Sequence, residues 1–264
     1  MRVFINNYER DGDQPVNINQ LKNTPVISVR TFFDDALHID SGDLTPDELD
    51  RLRPAFYRRF AETAQPANRF VKIHDAFQRL PDGTAIFPLI ATAGVIYMVR
   101  NPLDVAVSYA HHNASSIDEA IDMMADPDHG LFFAHDALLH QLPQRLMTWS
   151  EHVLSWADQT DLPSYMVRYE DMYGTPLETF GGVVRFIGWP DDEARLEKAL
   201  RFSAFSEMQK QEQTAGFQEK AWRTEMFFRK GRVGDWRDKL TKTQVERLIK
   251  DHGAVMERFG YLPL

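Results

Sequence analysis

The segment Val95-Ile96-Tyr97-Met98-Val99-Arg100-Asn101-Pro102-Leu103-Asp104-Val105-Ala106-Val107-Ser108 constrains the fold of this chain more than any other stretch. Its opening run, uncharged and rich in β-branched residues, predicts a strand over 95–99 buried on both faces. Pro102 fits the first position of a helix, where a missing N–H is harmless. A strand feeding directly into a helix is the building unit of an α/β protein. At the carboxyl end of such a strand the free N–H groups of the new helix favour an anion. Arg100 adds a planar fork of donors matched to phosphate oxygens, and Ser108 offers a hydroxyl further along. The same pattern also serves structural ion pairs, so the rest of the chain has to decide between the two.

The 264 residues carry no repeat and no Gly/Ser/Pro linker, which predicts a single domain over 1–264. With 39 acidic against 30 basic side chains, the net charge of −9 argues against nucleic acid or an anionic membrane as partner. Any polyanionic ligand must then be held by a local basic cluster. The absence of cysteine excludes disulfides, thiolate nucleophiles and zinc–cysteine sites, and fits a reducing compartment, so a cytoplasmic location is expected. The uncharged stretch 83–99 is shorter than the ~20 residues of a membrane span and is broken by Pro88. No signal peptide is legible at the amino terminus, where Val3, Phe4 and Tyr8 line one face of a helix.

Apolar spacing and capping patterns predict helices over 47–64, opened by the capping box Thr45-Pro46-Asp47-Glu48, and over 102–112, 117–125, 143–156, 176–187 and 191–202. A further helix, 242–258, is opened by Thr241-Lys242-Thr243-Gln244. The stripe Leu146, Trp149, Val153 and Trp156 marks the fourth of these. Strands are expected at 70–74, 95–99 and 164–169, while 9–35 reads as polar and irregular. The alternation implies an α/β protein with a mainly parallel sheet, whose ligands gather at the strands' carboxyl ends.

Three of those ends carry notable side chains: Lys72 and His74 on the first, Arg100 on the second, and Tyr169 and Glu170 on the third. Lys72 and His74, two apart on an extended segment, share a face; a cation beside an imidazole favours the neutral ring, the form a general base acting on a hydroxyl needs. The window Phe227-Phe228-Arg229-Lys230-Gly231-Arg232-Val233-Gly234-Asp235-Trp236-Arg237-Asp238-Lys239 combines two glycines, which let backbone approach an anion, with five basic residues against two acids. Its flanking aromatics predict an anchored loop rather than a solvated one. His111-His112, His135 with His140, and Asp34-Asp35 near His38 match no metal-ligand spacing, and no metal is expected. No nucleophile elbow, kinase signature or complete phosphate-binding glycine loop is present.

Together these windows resemble the cytosolic sulfotransferase family, which moves a sulfuryl group from 3'-phosphoadenosine 5'-phosphosulfate to a hydroxyl or amine. Tyr97 to Tyr109 looks like the family's 3'-phosphate segment, in which Arg100 and Ser108 grip that phosphate. Arg229-Lys230-Gly231-x-x-Gly234-Asp235-Trp236 matches its carboxyl-terminal donor loop. Arg168-Tyr169-Glu170-Asp171-Met172 is similar to the strand end whose Tyr borders the adenine. Ser203-Ala204-Phe205-Ser206-Glu207-Met208 resembles the region packing on the same base, and Lys72-Ile73-His74 corresponds to the family's Lys-x-His, with the His as general base. The resemblance implies a three-layer parallel sheet flanked by helices, a P-loop-NTPase-like fold, and in-line transfer to a small-molecule acceptor with no metal and no cofactor beyond the donor. The acceptor pocket is expected among 9–45, 113–142 and 209–226, with Phe32, Phe33, Phe132 and Phe133 as apolar candidates for its lining.

The family's opening strand and its Pro-Lys-Ser-Gly-x-Thr-Trp loop, which cradles the 5'-phosphosulfate, are not found in this sequence. The resemblance therefore implies that Met1 lies within the helix that follows that loop, as in a gene product truncated at its start. A homodimer motif is only partly kept, as Arg237-x-x-x-Thr241-Lys242-x-x-x-Glu246. The alternatives to a sulfotransferase are a non-catalytic nucleotide-binding remnant and, on a related fold, a small-molecule kinase.

Overall fold

The computed structural model describes residues 1–21, 24–63, 70–133, 138–220 and 226–264. In chain order these form α1 (Arg2–Glu9), α2 (Arg30–Leu37), α3 (Pro46–Glu62), β1 (Val95–Val99), α4 (Pro102–Asn113), α5 (Ile117–Ala125) and β2 (Gly130–Leu131). There follow β3 (Gln144–Arg145), α6 (Trp149–Ala157), β4 (Ser164–Arg168), α7 (Asp171–Gly174), α8 (Pro176–Ile187), α9 (Glu193–Phe202), α10 (Phe205–Ala215) and α11 (Lys242–Arg258), with 3-10 turns at Leu89–Ala91 and Asp235–Asp238. The chain divides into two compact units. The first comprises Met1–Lys22, Ile96–Met123 and Tyr165–Leu264; the second comprises Asn23–Val95 and Met124–Ser164.

β1 and β4 pair, and from Ile96 and Tyr165 onward the pair belongs to the first unit. The Val95 N–H donates to Pro163 O and the Tyr169 N–H donates to Val99 O, each at 2.8 Å. Both bonds keep one register with the strands running the same way, so the pair is parallel. The α/β class with a parallel sheet is thus as expected, though among the described residues the sheet is two strands wide. For that reason β1 is not buried on both faces as its composition suggests: Met98 is 51% exposed and only Val99 is fully buried. Asn101 caps α4, its side chain accepting from the Leu103 N–H, and Pro102 takes the first helical position. α11 and the Asp235–Asp238 turn pack on α4. The helical face foreseen at Val3, Phe4 and Tyr8 is α1, which packs on α9; Phe4 lies 4.4 Å from Phe180, and Tyr8 stacks on Trp189 at 5.4 Å. Buried aromatics of this kind contribute roughly 1.5–3 kcal/mol each through area removed from water.

The second unit has an aromatic core. Phe33 packs on Phe56, Tyr57 on Phe87, and Trp156 against both Phe77 and Phe87, at ring separations of 5.0–5.4 Å. α3 starts at the expected capping box, with Thr45 and Glu48 each bonded to the other's backbone. Three expectations fail here. Segment 70–74 is no strand: Lys72 makes one isolated parallel bridge to Val26, and no ladder extends from it among the described residues. The helix expected over 143–156 begins only at Trp149, because Thr148 and Glu151 form the true capping box and Gln144–Arg145 pair as β3 with β2. α2 begins inside the stretch read as irregular and runs two residues past it; it opens on Val29 with no capping side chain and closes on His38 in the left-handed region, so neither usual end signal is present.

Candidate functional site

In the first unit the arginine ending β1 meets the glycine-containing loop. Arg100 Nη2 donates to Arg232 O at 3.1 Å, and the guanidinium lies 4.3 Å from the centre of the Tyr169 ring. Its Nε is buried and has no hydrogen-bond partner among the described residues. A buried guanidinium N–H left unmatched is costly, and here it marks a donor without an acceptor.

The agent that brings loop and helix together is Asp104, 1% exposed in the first turn of α4. Its Oδ2 accepts from the Gly234 N–H at 2.7 Å and its Oδ1 from the Trp236 N–H at 3.0 Å, and Arg100 Nη2 lies 4.0 Å away. Both oxygens are therefore committed to backbone of the loop. Within the loop, Asp235 accepts from Arg229 Nη2 at 3.0 Å and from Lys230 Nζ at 2.7 Å. Burial opposes ionisation of Asp235, but the paired Lys230 and Arg229 outweigh it and hold the carboxyl below the usual carboxylate range. Gly231 has φ 53°, and a Cβ there would overlap the Phe205 ring, so this residue permits both the turn and the close approach.

α10 anchors the chain entering the loop. The buried Glu212 carboxylate accepts from the Phe227 N–H at 2.7 Å and the Phe228 N–H at 2.8 Å. Gln209 Nε2 donates to Phe228 O at 3.1 Å. Phe228 packs 6.0 Å from Phe205 and, with Met208 and Phe217, against Val3, Val16 and Ile18. Ser203, just past α9, accepts from Asn7 Nδ2 at 3.1 Å.

Of the residues singled out in the sequence, Arg100, Tyr169, Arg229, Lys230, Gly231 and Phe205 thus stand in one linked set, and Met208 packs behind it. Ser108 lies on an exposed face of α4, about 9 Å along the axis from Pro102 at the usual rise per residue. Asp104 and Glu212 are positioning groups that motif reasoning passed over. Asp104 was detectable as an acid in a helix that is otherwise apolar along its buried side, four residues after the arginine.

The second unit holds the other two. Lys72 is fixed by its bridge, its N–H donating to Pro25 O at 2.8 Å. His74 Nδ1 lies 2.8 Å from Gln144 Oε1, and His74 O accepts from His152 Nε2 at 2.8 Å. Burial lowers the His152 pKa, with the bond to His74 O opposing. Behind them Arg53, fully buried, bonds Asp50 at 2.8 Å and faces Asp75 at 3.5 Å. Of the aromatics considered for a pocket lining, Phe33 is core, packed on Phe56; Phe133 faces Arg145, its ring centre 5.7 Å from the guanidinium. Residues 22–23, 134–137 and 221–225 of the expected pocket segments lie outside the described residues, His135 among them. Among the described residues no group of three or more His, Asp or Glu side chains is placed to hold a metal ion, and no helix is long and apolar enough to cross a membrane.

The sequence matches the family model of the sulfotransferase domain over residues 56–260. Sulfotransferase 1A1 of Canis lupus familiaris is 28% identical over 201 residues, covering 74% of this chain and 64% of the relative. Sulfotransferase 1C2 of Homo sapiens is 27% identical over 199 residues, with the same shares. The matched region thus spans less than two thirds of the length of these relatives. In fold the chain is similar to mouse sulfotransferase SULT7A1 complexed with PAP, with a TM-score of 0.54 and 17% identity, covering 98% of this chain and 93% of that one.

Proposed function

The chain belongs to the sulfotransferase family, and from that premise we propose that it transfers a sulfuryl group from 3'-phosphoadenosine 5'-phosphosulfate to a hydroxyl or amine of a small-molecule acceptor. The observation that carries the reading is the meeting of Arg100 with the 229–236 loop through Asp104. It gathers an unmatched guanidinium N–H, two further cations and glycine backbone in one unit, a donor set suited to a terminal phosphate.

The donor, when bound, supplies a sulfuryl group already activated by its phosphate leaving group. Arg100, Arg229 and Lys230 hold the 3'-phosphate, with the Ser108 hydroxyl as a further contact. Tyr169 borders the adenine, and Ser203, Phe205 and Met208 form the region that packs on the same base. Binding a phosphate remote from the reacting centre restrains the donor's orientation, which lowers the barrier entropically. His74 takes the proton of the attacking hydroxyl, and Lys72 offsets charge on the transferring oxygens.

The test is transfer of label from ³⁵S-labelled donor to a panel of phenols, sterols, sugars and lipids, with a chelator present. Label on at least one acceptor, suppressed by adenosine 3',5'-bisphosphate, is expected. Binding of the bisphosphate without transfer to any acceptor contradicts the proposal in favour of a non-catalytic nucleotide binder. Phosphorylation that requires magnesium and ATP contradicts it in favour of a kinase.

A further inference from the structure

The His74 ring is held by an amide whose own orientation is set by its surroundings. Gln144 is completely buried, so its side chain must find its partners inside the protein. Its Nε2 faces Leu142 O at 3.5 Å and Gln141 Oε1 at 3.3 Å, and that second oxygen also accepts from Ser28 Oγ at 2.7 Å. With the amide nitrogen directed at oxygens, the amide oxygen is the atom turned to His74 Nδ1, 2.8 Å away. A carbonyl oxygen can only accept. The proton of the neutral ring therefore sits on Nδ1, and the lone pair sits on Nε2.

The surrounding backbone holds this arrangement in register. Gln144 lies in β3 opposite Leu131 of β2, and the neighbouring Gly130 is required, since a Cβ there would come 2.7 Å from Gln144 O. Arg53 donates to Pro143 O on one side of Gln144. On the other, Arg145 is tied to Asp50 at 2.8 Å and Asp47 at 2.7 Å. The histidine's own backbone is pinned as firmly: His152 bonds His74 O, Trp156 Nε1 donates to Asp75 O at 3.0 Å, and the Ala76 N–H donates to Arg145 O at 2.9 Å. Phe132 and Met147, just beyond the two short strands, both have φ 60°, a conformation costly for side chains of this size.

We propose that Gln144 is a positioning residue that fixes His74 as the Nδ1–H tautomer, so that Nε2 is the nitrogen that accepts the proton. The catalytic part of this statement rests on the sulfuryl-transfer reading; the tautomer does not. In the step itself the acceptor O–H breaks and its electron pair stays on the oxygen that bonds sulfur, the bond from sulfur to the donor's 5'-phosphate oxygen breaks with its electron pair leaving on adenosine 3',5'-bisphosphate, and the proton forms N–H at Nε2. The resulting imidazolium keeps its Nδ1–H directed at Gln144 Oε1, and the amide neither gains nor loses a proton.

Two-bond ¹⁵N–¹H correlation spectra of the imidazoles test this on the whole chain, the His74 signals being those lost in His74→Asn. At a pH where the ring is neutral, the wild type is expected to show the Nδ1–H pattern. Gln144→Leu shifts it toward Nε2–H, and Gln144→Glu, which keeps an acceptor oxygen, retains it. In the transfer assay Gln144→Leu lowers kcat by about tenfold or more with the donor KM unchanged. A wild-type ring protonated on Nε2, or a tautomer indifferent to Gln144→Leu, overturns the proposal. Should the leucine variant not fold, the wild-type and Gln144→Glu spectra decide. An Nδ1–H spectrum in a protein that transfers no label refutes the function and supports the tautomer; transfer with an Nε2–H spectrum does the reverse.

Discussion

At Gly231 a single missing Cβ sets the course of the proposed donor loop, since the backbone is left-handed there and the Phe205 ring occupies the space a side chain would need. Gly231→Ala is expected to cost about 1–2 kcal/mol from backbone conformation alone and more from the overlap with Phe205. Urea unfolding is expected to show a lower midpoint and calorimetry a weaker complex with adenosine 3',5'-bisphosphate; an unchanged midpoint contradicts this. The glycine, the neighbouring cations and Arg100 are legible in the sequence because their chemistry is carried by residue type. Asp104, Glu212 and Gln144 are not, because what matters in each is which backbone or ring it faces, and those partners lie 15 to 132 residues away. Asn7 shows the same limit. It is a polar residue in a buried helix whose Oδ1 accepts from the Val16 N–H while its Nδ2 donates to Ser203.

Among the elements, α4 is the one through which strand, helix and loop act together, and Asp104 is the joint. Asp104→Asn replaces one acceptor oxygen with an amide NH2, a donor that faces a backbone N–H. The substitution is expected to cost about 1–3 kcal/mol and to leave α4 intact, since Asn101 and Pro102 still open it. Hydrogen exchange is the sensitive readout: the Gly234 and Trp236 amides should exchange faster than in the wild type while the amides inside α4 do not. Equal rates at 234 and 236 contradict the assigned role. Helices opened by a capping box, α3 and α11, were legible nearly to the residue, because the signal is local. α6 was not, although Thr148 and Glu151 carry the same box, because the apolar phase of Leu146 runs back into residues that pair as β3. Segment 70–74 has strand composition, but strand formation depends on a partner of matching length, and the stretch around Val26 offers one bridge.

For the whole molecule, strand–helix alternation was enough to indicate the α/β class, and the burial of β1 was misjudged because it depends on how many strands flank it. Three histidines, His129, His152 and His252, have pKa values lowered chiefly by burial. Groups of this kind contribute stability that is complete above their unfolded pKa near 6.5 and is lost as pH falls toward their lowered folded-state values. Asp75, raised by burial with the facing Arg53 opposing, has the opposite dependence on pH. The urea midpoint should therefore drop between about pH 7.5 and about pH 5.5, and a midpoint that holds or rises over that interval contradicts the assignment. The central claim, that Arg100 and the 229–236 loop together hold a terminal 3'-phosphate, is tested most directly by calorimetry with adenosine 3',5'-bisphosphate and adenosine 5'-monophosphate on the wild type and Arg100→Ala. The account predicts that the bisphosphate binds the wild type at least about tenfold more tightly and that Arg100→Ala removes most of the difference; equal binding of the two nucleotides, or a preference that survives the substitution, would contradict it.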